Sequence, residues 1–157
     1  VVSGTHQEAA RIVELLGLRP LPVEGGHWAQ TWRDDHGSAI YYLLAAPEFS
    51  ALHRLAHPEV FAYHAGAPAR MFLVGPDRRV EEPVLGPDLA AGQRPQVVVP
   101  AGAWQATETL GAWTLLGTFM APPYTDDAVE FAGAADLADL AARHPAHAER
   151  IRRLSRS

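Results

Sequence analysis

The chain has 157 residues, 48% of them apolar and 20% charged, which suits one globular domain with a core of its own. Its 18 acidic and 13 basic residues give a net charge of -5, the wrong sign for a nucleic-acid binder. The lack of cysteine excludes disulfides, thiolate nucleophiles and cysteine-based zinc sites, and no apolar run reaches the roughly 20 residues of a membrane span.

The opening "VVSGTHQEAARIVELLG" carries charge early and lacks the shape of a signal peptide, so a cytoplasmic protein is expected. A helix is predicted over about residues 5–16. Thr5 is its N-cap, Glu8 stands at the capping-box spacing, and Ala9, Ile12, Val13, Leu15 and Leu16 form the apolar stripe. Gly17 ends it, and "RPLPVEGG" reads as a connector.

From about residue 24 to 122 the pattern changes to short apolar and aromatic runs. They are "HWAQTWR", "SAIYYLLAA", "FSALHRL", "EVFAYHA", "ARMFLV", "RRVEEPVL", "QVVVP", "WQATET" and "WTLLGTFM". Turn signals such as "DDHG", "AGAP" and "GPDLAAGQRP" separate them. About nine short strands with tight connections predict a mainly β sandwich or barrel, paired antiparallel. The tail from Phe131 reads as helical, with C-terminal helices over about 134–155 and Pro145 at a first helical position. The basic "RIRRLSR" suits a solvated helix end.

The stretch "FSALHRLAHPEVFAYHAG" concentrates histidines. As a strand, "FSALHRL" puts Phe49, Ala51, His53 and Leu55 on one face; on the next, Glu59, Phe61, Tyr63 and Ala65 share a side. His53 can then face Glu59 across an interior. His64 points away, and His57 sits in the "HPE" turn in solvent. Two ionisable groups on inward faces of neighbouring strands mark a functional candidate, with a structural pair as the alternative. Further on, Pro100-Ala101-Gly102 makes a tight turn, and Gln105 begins the next strand.

These motifs resemble the cupin superfamily. Its first motif runs His-x-His, three or four residues, Glu, six residues, Gly; His53, Glu59 and Gly66 fit. Its second ends Pro-x-Gly, two residues, His; Pro100 and Gly102 fit, with Gln105 at the histidine position. More narrowly the chain resembles cupin family 5, long called DUF985, over "RIVELLGLRPLPVEGGHWAQTWR", "SAIYYLL", "FSALHR", "GPDLAAGQRPQVVVPAGAWQA" and "LAARHPAHAERIRRL". The resemblance implies a cupin jelly-roll β-barrel (double-stranded β-helix) with short flanking helices, a pocket inside the barrel, and a homodimer.

It also exposes departures. Leu55 stands at the second histidine of the metal pattern, and Gln105 at the third. Leucine cannot ligate and a neutral amide is a poor ligand for transition metals. No cofactor is therefore favoured; a divalent metal, if present, would use His53 and Glu59 with His27 or Gln105. In "EGGHWAQTWR" the family's tyrosine pair becomes His27 and Trp28, and its Arg-Glu becomes Ala29 and Gln30. A phosphate or carboxylate ligand thereby loses an anchor, and a larger aromatic ligand becomes easier to accept. Phe61 and Ala62 likewise replace Trp-His.

Three functions remain open. The first is proton-transfer chemistry beside a carbonyl (epimerase, isomerase, dehydratase or cyclase type) on a sugar-like or specialised metabolite. His53 is its acid–base, Glu59 orients the imidazole, and Gln105 with Tyr63 binds the developing oxyanion. His27, Trp28, Gln30, Trp32, Phe49, Ala51 and Phe61 join Tyr63 as candidate pocket residues, with Trp28 and Trp32 equally readable as core. The second is a metal-dependent dioxygenase or lyase; the third binds a small ligand without turnover. The Ala/Arg/Gly/Pro-rich, lysine-poor composition suggests a high-GC bacterium and specialised metabolism. The expected partner is a small molecule, with no nucleic acid and no membrane.

Overall fold

The computed structural model describes residues 2–156, with side-chain burial from residue 6 onward. Helix α1 (Val2–Leu16) starts earlier than the predicted Thr5; the side chain of Thr5 lies outside the described residues. Glu8 takes part in no capping box that can be described, and its carboxylate instead accepts a hydrogen bond from the Trp113 indole, 3.3 Å.

Twelve strands come after it: β1 (Arg19–Pro20), β2 (His27–Arg33), β3 (Ser38–Ala45), β4 (Phe49–Leu55), β5 (Glu59–Gly66), β6 (Ala69–Val74), β7 (Val80–Glu81), β8 (Val84–Leu85), β9 (Gln96–Val99), β10 (Trp104–Thr109), β11 (Trp113–Met120) and β12 (Val129–Phe131). They form two antiparallel sheets, ordered β1-β2-β3-β11-β5-β9 and β12-β4-β10-β6-β7, with β8 also on β6. This is a jelly-roll barrel. From β3 to β6, and again from β9 to β12, consecutive strands alternate between the sheets, so the two walls face each other across one interior.

Two strands were not foreseen. The connector contributes β1, and the tail contributes β12, which pairs with β4 before α2 begins at Ala134. The run "RRVEEPVL" divides into β7 and β8 around Pro83, which has no N–H to continue a ladder. Pro145 opens a 3-10 turn (Pro145–His147) and not a continuous helix; α2 (Ala134–Arg143) and α3 (Ala148–Arg153) flank it. The Asp136 carboxylate caps α2 by accepting from the Gly133 N–H, 2.9 Å.

Both sheets are covered on their outer faces, and this explains why several strands lack polar alternation. In β6, Ala69, Met71 and Leu73 enter the barrel core with Tyr42, Phe61 and Leu116. Phe72 and Val74 of the same strand face outward, where Leu137 and Leu140 of α2 and Ile151 of α3 cover them. On the other sheet α1 lays Ala9, Ile12, Val13 and Leu16 over Leu43, Tyr41 and Leu115. Helix burial of this kind carries measurable stability. Ile151 is 0% exposed, so Ile151→Ala is expected to cost about 2–4 kcal/mol in urea unfolding.

Candidate active site

The barrel encloses a cavity of ≈ 540 Å³. One wall comes from the inward rows of the first sheet, including Trp28, Gln30, Ile40, Phe61 and Thr118. The facing wall carries His53 and Leu55 of β4. Glu24 reaches in from the segment before β2, and Tyr124, Thr125 and Asp126 border the mouth.

His53 is 2% exposed. A β-bulge places it: Gln105 of β10 opposes His53 and Thr107 opposes Ser50, so Ala51 and Leu52 together face one partner residue. The bulge shifts strand parity. Ser50 and His53 both turn inward, while Leu52 and Phe49 pack outward against the α2–α3 cluster. Phe49 is therefore not a pocket residue, and Ala51 contributes backbone and not a wall. The predicted alternation fails here because it assumed an unbroken ladder.

The bulge also fixes the histidine's chemistry. Its Nδ1 lies 2.7 Å from the Ala51 carbonyl oxygen. A carbonyl can only accept, so Nδ1 carries the hydrogen and Nε2 is the nitrogen that gains or loses a proton. Nε2 faces Glu24 Oε1 at 3.8 Å, beyond hydrogen-bond range but close enough for the carboxylate to steady an imidazolium. Ser50 Oγ donates to the same Oε1 at 2.8 Å. The imidazole is thus oriented by Ala51 and Glu24, and not by Glu59 as the sequence suggested.

Glu59 is buried on β5 across from these groups. Its Oε1 accepts from Gln105 Nε2 at 3.1 Å, and Thr118 supplies a second hydrogen bond. Burial raises its pKa to about 7; the His53 charge pulls it down, and Glu24 pushes it up. Gln105 itself does not line the cavity. It stands behind Glu59 and positions it, so it is not an oxyanion donor.

Other predicted pocket residues are placed elsewhere. Tyr63 spends its hydroxyl on the Gly66 carbonyl, 2.7 Å, outside the cavity. His27 borders a separate cleft with Glu48 and Arg156. Trp32 is 47% exposed and packs over Gly37, because the register of β2 shifts between Gln30 and Trp32. His64 lies on the outer face against Tyr41, as its parity predicted. Trp28, Gln30 and Phe61 do line the cavity.

Glu24, Ser50, Tyr42 and Thr118 were missed by the sequence reading. Tyr42 donates its hydroxyl to the Gly25 carbonyl at 2.6 Å; burial, and then the charge of Glu24, holds its pKa well above the ordinary phenol range. Tyr124 is pushed up to about 12, first by burial and then by Asp126. The one signal for Glu24 is the "EGG" string, which reads as connector. Gly25 and Gly26 have φ of +100° and +79°, and added Cβ atoms would strike the Phe49 carbonyl and the Tyr42 ring. They bring Glu24 against β4 as no other residue could.

A cupin metal would need a donor set that these residues do not provide. Leu55 lines the cavity where a second histidine would stand, Gln105 does not line the cavity and offers only a neutral amide oxygen, and His27 borders a separate cleft. Among the described residues no group of three or more His, Cys, Asp or Glu side chains converges as a metal site.

The fold and site define a jelly-roll barrel with a pocket in its interior onto which His53, Glu24 and Glu59 converge. The chain belongs to the cupin superfamily group DUF985, whose family pattern it matches over residues 10–132. It is similar to a protein from Shewanella oneidensis, at 31% identity and TM-score 0.83, covering 93% of this chain and 96% of that one. A hypothetical protein from Leishmania major is also similar, at 24% identity and TM-score 0.83, covering 95% and 99%. The fold extends to Bacillus subtilis oxalate decarboxylase, a protein described with Mn(II) centres, at 14% identity and TM-score 0.59, covering 87% of this chain and 37% of that one. Comparison with curated proteins gives no match. No helix among the described residues is long and apolar enough to cross a membrane.

Two outcomes are expected from this geometry. Because the folded pKa of Glu59 lies above its unfolded value, its stabilising contribution is complete below about pH 4.5 and is lost as pH rises through about 7. Glu59→Gln removes that slope. Between pH 5 and pH 8 the wild type is expected to lose roughly 2 kcal/mol more stability than the variant, read from urea midpoints. The second concerns Val23, 59% exposed at φ +67° in the tight turn closed by the Glu24 N–H on the Pro22 carbonyl, 2.8 Å. A β-branched residue is strained there. Val23→Gly is expected to raise stability by about 0.5–1 kcal/mol, visible as a higher melting temperature.

Proposed function

We propose that the barrel interior catalyses proton transfer next to a carbonyl, in the manner of an epimerase, isomerase or related lyase acting on a small metabolite. One observation carries this reading. His53 is locked with its proton-exchanging Nε2 toward the cavity, and across from it stands a carboxyl whose pKa is about 7. Two titratable groups whose environments assign them different tasks are the mark of an acid–base pair.

The step balances without any added reagent. His53 Nε2 takes the proton from the carbon beside the carbonyl. The electrons of that C–H bond form the C=C bond, and the carbonyl π electrons move to oxygen, which takes the proton of Glu59. Glu24 steadies the imidazolium, and Gln105 with Thr118 steadies the new Glu59 carboxylate. Return of a proton to the same carbon from the other face gives epimerisation; where that carbon bears a hydroxyl, loss of the hydroxyl proton as the new C=O forms, with a proton returned to the former carbonyl carbon, gives isomerisation. The apolar walls around Trp28, Ile40 and Phe61 favour a substrate with a hydrophobic or ring-shaped body.

The test is proton exchange in D2O, monitored by NMR, over a panel of α-hydroxy ketones, keto sugars and β-keto esters. At least one member should exchange its α-proton. His53→Asn should slow it by about 10²-fold or more, and Glu59→Gln should remove the limb of the pH profile near 7. Exchange that persists in His53→Asn would sink the reading. So would a stoichiometric metal lost on His53→Ala, and so would tight binding of a panel member with no exchange, which would mark a ligand carrier.

A further inference from the structure

We infer that Arg33 is the anion-recognising group of this pocket, and that the substrate is a small carboxylate with an apolar body between its anionic end and the carbon that His53 attacks. The inference rests on the interior being a substrate pocket, and it reverses the expectation that the Ala29–Gln30 change deprives an anionic ligand of its anchor.

Three observations support it. First, Arg33 lines the cavity only because of a register shift. In β2 Gln30 opposes Ile40 and Trp32 opposes Ala39, so one extra residue sits between them. The shift turns the Trp32 ring away from the cavity and puts Arg33, still exposed, on its wall. Second, Arg33 keeps its charge uncommitted. Arg54, Arg70, Arg79, Arg143, Arg150, Arg153 and Arg156 each pair with a carboxylate; Arg11, Arg19, Arg78, Arg94 and Arg152 do not among the described residues, but of the described arginines Arg33 is the one that lines the cavity. Arg33 has no carboxylate partner among the described residues, although Asp126 lines the same mouth. Its one side-chain hydrogen bond runs from Nη1 to the Tyr124 carbonyl, which props the side chain and leaves the rest of the fork free.

Third, its position is set relative to the acid–base groups. Arg33, Ser38, Met120 and Glu59 are successive cross-strand partners in one row of the first sheet. Three strand spacings put the backbones of Arg33 and Glu59 roughly 14 Å apart. A ligand held by Arg33 therefore presents its far end, and not its anionic end, to Glu59 and His53. The acids at that far end repel a carboxylate placed among them and so reinforce this orientation. Between the two ends the wall is Ile40, Phe61, Leu55 and Met120.

The test compares a matched pair, 3-phenylpropanoate and its neutral amide 3-phenylpropanamide, by ligand-observed NMR titration. Wild type should bind the anion about ten-fold or more tightly over the amide, and the preference should shrink as salt is raised. Arg33→Gln should bring the two within about two-fold by weakening the anion alone, and Arg33→Lys should restore part of the preference. Arg33 is exposed and makes a single side-chain hydrogen bond, so an unchanged melting temperature should accompany these variants. Equal affinities in the wild type, an undiminished preference in Arg33→Gln, or no binding of either compound at about 10 mM would each overturn the inference. His53→Asn should keep the anion preference. Equal affinities for anion and amide in a wild type that exchanges a panel member's proton would sink Arg33's role alone, while anion preference without exchange in any panel member would sink the proton-transfer reading alone.

Discussion

The site depends on two residues of β4 facing one residue of β10. Where Ala51 and Leu52 bulge, four backbone groups leave the ladder and find partners elsewhere. The Ala51 N–H donates to the Glu24 carbonyl at 2.8 Å, and the Ala51 carbonyl holds His53 Nδ1. The Leu52 N–H donates to the Leu154 carbonyl at 2.9 Å, and the Leu52 carbonyl accepts from Ala132 at 3.1 Å. A buried backbone group without a partner is costly, so all four bonds constrain the chain around them. One irregularity thus ties the Glu24 segment, the His53 imidazole and the C-terminal segment into a single unit.

That coupling explains why the helices matter to a site they never touch. The α2–α3 cluster buries Leu52 from outside while His53 faces inward one residue later. Past α3, Arg156 reaches Glu48 at 3.0 Å and stacks its guanidinium over Phe49, at the start of the same strand. Glu48 in turn accepts from the Gly26 N–H at 3.2 Å, on the segment that carries Glu24. The rigidity of a pocket wall here comes from side chains on the far side of the sheet, as close-packed interiors transmit position.

The fold was legible because its signals are local and repeated. Alternating short runs, turn residues and two amphipathic ends pointed to the barrel and its flanking helices, and the His53, Glu59 and Pro-x-Gly spacing pointed to the family. The site was legible only in part. His53 and Glu59 could be named from parity, but the bulges at Ala51–Leu52 and between Gln30 and Trp32 carry no mark in composition, and each reverses the facing of the residues beyond it. Hence Phe49 and Trp32 were read inward and Arg33 was not considered. Glu24 was hidden for another reason. It belongs to no strand or helix, and a segment of proline and glycine reads as linker until its positive φ values show it bent into the barrel.

Charge balance within the barrel explains why the Glu59 pKa is raised to about 7. The cupin pattern gathers its histidines and glutamate around a cation, whose positive charge compensates the buried carboxylate. Here Leu55 and Gln105 occupy two of those positions, while Glu24 adds a second acid to the cavity. Two acids in a barrel interior with one imidazole between them cannot all be charged at low cost. The group with the deeper burial and the neutral partners takes the proton, and that group is Glu59, with Gln105 and Thr118 beside it. Glu24, 17% exposed at its side chain and bonded to Ser50, is left to face the imidazole. The leucine and the amide at those two positions therefore leave Glu59 without a cationic partner on either side, and burial is free to raise its pKa to about 7.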